Sequence, residues 1–117
     1  KNYNKYKKWC DEYFYLPHRN EPRGIGGIFF DYETKDWEKN FKFIQDLGLG
    51  FIDLTKKMIL NKKKLKWTKT DKEKQLYKRG RYVEFNLLWD RGTLFGLKTG
   101  GSTEAILMSM PPTAKWK

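Results

Sequence analysis

Apolar residues follow two different rhythms along this chain. Over residues 3–16, Tyr6, Trp9, Cys10, Tyr13 and Leu16 recur three or four apart with Lys and Asp between them. That spacing predicts an amphipathic helix, ended or kinked by Pro17. Residues 18–27 predict a loop, and Ile25–Asp31 (IGGIFFD) a strand buried on at least one face. Thr34 or Asp36 then caps a second helix, with Trp37, Phe41, Ile44 and Leu47 on one face and Gly48 as its stop. Residues 50–60 predict a third helix, 61–66 an exposed Lys-rich connector, and Thr70–Lys78 a further helix with a good N-cap.

The rhythm changes at residue 82. Tyr82–Trp89 (YVEFNLLW) is rich in β-branched and aromatic residues with partial period-2 alternation, which predicts a strand. Asp90-Arg91-Gly92 predicts a turn. Ala105–Met110 (AILMSM) predicts a second buried strand, stopped by Pro111-Pro112. Early helices and late strands without βαβ alternation predict an α+β fold with an antiparallel sheet flanked by helices.

Composition narrows the classes. The 117 residues suit one domain or a part of one, with little apolar surface to spare for a core. Five Trp, seven Tyr and eight Phe exclude a disordered tail. The single Cys10 excludes an internal disulfide and suits a reducing compartment. No apolar run approaches the roughly 20 residues of a membrane span, and the N-terminus lacks a signal-peptide pattern. Net charge is +11, but residues 56–81 carry 12 basic and 2 acidic residues, so nearly all of the excess lies there. The Lys run reads as a solvated face, with an electrostatic nucleic-acid patch as its functional alternative.

The chemical candidates gather elsewhere. His18 is the only histidine, and metal sites take three or four ligands, so it reads as a hydrogen-bonded histidine unless other ligands join it. Arg19, Arg23 and Arg91 sit in loops or beside glycines. They suit solvation or internal carboxylate pairing, or anion binding through the guanidinium fork. Gly24-Ile25-Gly26-Gly27 is no dinucleotide fingerprint, because the third spaced glycine and the strand-to-helix order are missing. Arg79–Phe85 is one residue short of an RNA-recognition strand and lacks its paired motif.

Two long blocks carry a resemblance. K-x-W-C-D-E-Y-F with H-R-N-E-P-R-G-I-G-G-I-F-F-D at 18–31 forms the first. R-G-R-Y-V-E-F-N-L-L-W-D-R-G-T-L-F-G-L at 79–97 with T-G-G-S-T-E-A-I-L-M-S-M-P-P at 99–112 forms the second. In order and separation they resemble oxygen-dependent coproporphyrinogen III oxidases. The resemblance runs over essentially the whole chain, which corresponds to about the C-terminal half of that single domain.

The resemblance implies a large antiparallel sheet with helices on both faces. It implies oxidative decarboxylation of coproporphyrinogen III to protoporphyrinogen IX in haem biosynthesis. Molecular oxygen is the co-substrate, and no organic cofactor is used. It assigns Asp90 and Arg91 to catalysis, Asp90 as acceptor of pyrrole N–H groups. Arg19, Arg23, Gly100, Gly101 and Ser102 are assigned to substrate binding, with Ser102 where the family pattern has arginine. His18 matches a proposed divalent-metal ligand. The family's proton-donor histidine and its Asn-x-Arg contacts fall outside these 117 residues, so the chain is expected to be inactive alone. A homodimer through Tyr82–Lys117 is expected, with no nucleic-acid partner, in the cytoplasm or, in a eukaryote, the mitochondrial intermembrane space. The alternative is a basic nucleic-acid-binding or non-catalytic dimerisation module.

Overall fold

The computed structural model describes residues 3–116, so Lys1, Asn2 and Lys117 lie outside it. In chain order it has helix α1 (Tyr3–Tyr13), strands β1 (Tyr15–Leu16) and β2 (Glu21–Pro22), then helices α2 (Trp37–Lys62), α3 (Lys69–Leu88), α4 (Arg91–Lys98) and α5 (Thr103–Leu107). They form two units, one of residues 1–29 with 68–117 and one of residues 30–67. The chain is mainly helical with a small antiparallel sheet, consistent with α+β.

In the first unit, α1 forms over Tyr3–Tyr13, shorter than the 3–16 its spacing predicts because Leu16 lies in β1, and buries Tyr6 and Cys10. Pro17 sits in a tight reversal instead of merely ending the helix. The Arg19 N–H donates to the Leu16 carbonyl at 3.0 Å, with Pro17 at the position of such a turn that favours its fixed φ. Asn20 takes the left-handed conformation (φ 52°) that asparagine tolerates. The strands pair Tyr15 with Pro22 and Leu16 with Glu21, which holds His18 and Arg19 at the hairpin tip.

The strand expected at Ile25–Asp31 does not form among the described residues. The backbone there is irregular, and the Phe29 N–H donates to the Tyr6 carbonyl of α1 at 3.1 Å rather than to a neighbouring strand. Phe29 serves a ring cluster instead, while Ile25 is fully exposed. Phe29 stacks on Tyr13 (4.6 Å, 11°) and meets Trp9 and Phe14 edge-on. Phe85, 1 % exposed, meets Tyr13 and Phe14 from α3.

Both late strands are helices. Thr68, not Thr70, starts α3 through a capping box, with Asp71 N–H donating to Thr68 Oγ1 and Thr68 N–H to the Asp71 carboxylate. From there α3 runs without a break through Tyr82–Leu88. Its inward face, residues 76–77, 80–81 and 84–85, keeps helical period but includes Gly80, Arg81 and Glu84. Apolar residues alone therefore could not display it, and β-propensity yields to packing context. Asp90 is the N-cap of α4 rather than part of a free turn. Thr103–Leu107 is α5, capped by Ser102, so the strand expected at Ala105–Met110 is absent. Residues near the C-terminus cross α3 at buried Gly80, where Lys115 N–H donates to the Leu76 carbonyl at 3.1 Å.

In the second unit the two helices expected on either side of Gly48 are one, of 26 residues. Asp36 stands at its N-cap position in left-handed geometry and makes no side-chain cap. Asn40 instead closes the entry by donating to the Glu33 and Lys35 carbonyls at 3.1 and 2.6 Å. The pairs Lys42–Asp46 and Asp53–Lys57, each four apart, support its outer surface. No residue of this helix is buried. Among the described residues no helix is long and apolar enough to cross a membrane.

Candidate functional site

The hairpin tip meets α3 over a carboxylate hub. Glu84 receives Arg19 side-on, with Arg19 Nε 2.5 Å from Oε2 and Nη2 2.6 Å from Oε1. His18 Nε2 lies 3.0 Å from the same Oε2. Arg81, one turn earlier on α3, has Nη1 3.8 Å from Glu84 Oε1, while its Nε pairs with Glu21 on β2. Lys78 stands 3.8 Å from Glu21 as well. Glu84 is the least exposed member of the network, its side chain 11 % exposed against 27 % for Arg19. Hydrogen bonds from Arg19 hold the Glu84 carboxyl below the ordinary carboxylate range, against the opposing effect of burial, with His18 and the charge of Arg81 helping. Arg81 lowers Glu21 in the same way.

Trp89, at the end of α3, completes the hub. Its indole N–H donates to His18 Nδ1 at 3.2 Å, and the two rings lie nearly parallel, 18° apart. Both imidazole nitrogens are thus engaged. Among the described residues no group of three His, Cys, Asp or Glu side chains is placed to hold a metal ion.

Arg23 is held differently. Its guanidinium lies over the rings of Phe14 (4.1 Å), Tyr82 (4.9 Å) and Phe85 (5.3 Å). Cation–π contact and packing fix the group, and no carboxylate among the described residues pairs with it. Its backbone N–H donates to the Phe14 carbonyl, continuing the hairpin ladder.

Asp90 and Arg91 lie beside this cluster through Tyr13. Asp90 Oδ2 accepts the Thr93 N–H at 2.8 Å and the Thr93 hydroxyl at 2.9 Å, while Oδ1 accepts Tyr13 Oη at 3.3 Å. An ionised carboxylate has about four acceptor positions, so one remains on Oδ1. The Arg91 guanidinium lies 5.1 Å from the Tyr13 ring centre.

Gly100, Gly101 and Ser102 form the α4–α5 turn. Gly100 has φ 73°, a conformation that suits glycine. Gly101 N–H donates to the Gly96 carbonyl at 2.9 Å, and Ser102 Oγ accepts the Ala105 N–H. Their hydrogen bonds run to α4 and α5, not to the hairpin. The structure therefore joins His18 and Arg19 directly, borders them with Arg23, Asp90 and Arg91, and sets the glycine turn apart. Cys10 is packed inside, 3 % exposed.

Sequence reasoning missed Glu84, Arg81, Glu21 and Trp89. Helical reading of residues 81–85 would have put Arg81 and Glu84 on one face, three apart. No local signal pairs Trp89 with His18, since they are 71 residues apart in the chain. Residues 1–117, the whole chain, match the family model described as coproporphyrinogen III oxidase.

Proposed function

The chain belongs to the coproporphyrinogen III oxidase family, whose function lies in porphyrin biosynthesis, and on that premise we propose that its hairpin and α4 entrance form part of a propionate-binding rim for coproporphyrinogen III. The observation that carries this reading is Arg23, a cation fixed by three aromatic rings and lacking an internal carboxylate. Arg19 and Arg91 supply further guanidinium groups, and the remaining acceptor of Asp90 suits a pyrrole N–H. Gly100, Gly101 and Ser102 are proposed as a second contact with the same large ligand.

The reaction proposed is the oxygen-dependent one. Each propionate that becomes a vinyl group releases one carbon dioxide, one proton and two electrons. In the peroxide route each electron pair, with two protons, reduces one dioxygen to hydrogen peroxide, so two propionates consume two dioxygens. In this reading a pyrrole N–H is deprotonated and oxygen attacks the ring carbon. The resulting ring peroxide removes a β-hydrogen as carbon dioxide leaves, and its carbon–oxygen bond breaks to release hydrogen peroxide and restore the pyrrole. No step is assigned to a metal at His18 or to an organic cofactor.

The chain is proposed as the C-terminal part of the domain, binding substrate without turnover alone. Association of two copies through residues 82–117 is supported by exposed Leu88, Phe95 and Met108. A cytoplasmic or intermembrane-space location remains part of the same proposal. The test is titration with coproporphyrin III, followed by tryptophan fluorescence. Arg23→Met keeps the aliphatic stem and removes the charge, and is expected to weaken binding about tenfold or more. Equal affinity would remove Arg23 from the rim.

A further inference from the structure

We propose that Glu84 and Trp89 are positioning residues, which fix His18 as its Nε2–H tautomer and orient Arg19 with one guanidinium edge left open. The inference deepens the propionate-rim reading and rests on it for the use of that edge. The argument begins with Trp89. An indole nitrogen can only donate, so the 3.2 Å contact requires a lone pair on His18 Nδ1. The single proton of the neutral ring is then on Nε2, where it donates to Glu84 Oε2 at 3.0 Å. Ring stacking keeps the imidazole in the plane that serves both bonds. Neither nitrogen then offers a lone pair to a cation, unless Trp89 or Glu84 lets go.

The same carboxylate settles Arg19. Glu84 occupies Nε and one Nη2 hydrogen. The edge formed by Nη1 and the second Nη2 hydrogen remains, on a side chain 27 % exposed. That edge matches a second carboxylate bidentately. Arg81 lies 3.8 Å from Glu84 Oε1 and is itself paired with Glu21, so the orientation rests on three side chains rather than one.

His18 is the only histidine of the chain, so its imidazole nitrogens can be read without ambiguity by nitrogen NMR. The wild-type chain is expected to show protonated Nε2 and bare Nδ1, with a slowly exchanging Arg19 Nε–H. Trp89→Phe keeps the stack and loses only the donor, so the two tautomers should mix. Glu84→Gln should speed exchange at Arg19 Nε–H and weaken coproporphyrin III about tenfold. A wild-type Nδ1–H tautomer would overturn the proposal, as would an unchanged tautomer in Trp89→Phe or an unchanged Arg19 exchange rate in Glu84→Gln. If the NMR signatures appear but wild-type chain binds no coproporphyrin III, the propionate reading fails and the positioning stands. Circular dichroism of each variant separates loss of fold from loss of orientation.

Discussion

Residues 30–67 and the rest of the chain are similarly rich in apolar residues, yet they use them in opposite ways. The unit holding α1, the hairpin and α3 buries Tyr6, Cys10, Leu16 and Phe85, with Leu16 at 0 % exposure. In the other unit α2 places Trp37, Phe41, Ile44, Phe51, Ile52 and Ile59 along one helical face, and every one of them is exposed. Periodicity thus reports what a segment could bury, while burial needs a second surface of matching shape. Every candidate site residue falls in the unit that closes a core. A guanidinium can be aimed only by elements that are themselves held.

The comparison is sharpest when the same deletion is made in both units. Phe85→Ala removes a fully buried ring that meets Tyr13 and Phe14 and underlies Arg23. It should cost about 4 kcal/mol, enough to unfold the site. Phe51→Ala removes a ring that is 68 % exposed, and should change stability by less than about 0.5 kcal/mol. Urea denaturation of the two variants checks this. Similar losses would mean that α2 is covered in solution.

That contrast also explains what could be read in advance. α1 was legible because its inward side chains are all apolar and regularly spaced. The start of α3 was legible to within two residues, at Thr70 rather than Thr68, and the break at Pro17 was legible though its tight reversal was not, because Thr, Asp and Pro act locally. Tyr82–Trp89 was misread because half of the inward face of α3 is charged or glycine. Ile25–Asp31 was misread because Phe29 packs on α1 while Phe30 packs on Phe43, contacts that no local pattern encodes. The arginines and His18 were legible as a group, but their orienting partners were not. Glu84 lies 65 residues from Arg19 and Trp89 lies 71 from His18.

Charge pairs divide the two units in the same way. Glu84→Ala would leave Arg19 without its carboxylate and Arg81 with Glu21 alone, at a cost of about 2 kcal/mol. Asp53→Ala removes one partner of an exposed pair on α2, worth about 0.4 kcal/mol. The pH dependence has a definite sign. The folded-state Glu84 carboxyl lies below its unfolded value of about 4.3. Its stabilisation is therefore fully present above that value and is lost as pH falls through the folded-state value. Thermal melts between pH 6 and pH 3 (roughly one pH step on either side of that range) should show a steeper acid loss in wild type than in Glu84→Gln. Parallel curves would deny Glu84 its role as the hub.

One substitution should even change sign between the units. A methyl group at Gly80 would collide with the Lys115 carbonyl, a backbone atom with no side-chain freedom to yield. Gly80→Ala should therefore destabilise by about 2 kcal/mol, detaching the 113–116 segment from α3 before it alters the hairpin. Gly48 has open space where its Cβ would be and lies inside α2 at ordinary helical φ. There alanine only removes backbone freedom from the unfolded chain, so Gly48→Ala should stabilise α2 by about 1 kcal/mol. Amide exchange within residues 44–52 should slow roughly fivefold as a result. A slowing of that size would mark α2 as a helix limited by its own backbone. Faster exchange would mean that another surface already lies against Gly48, and that the exposed face of α2 has a partner.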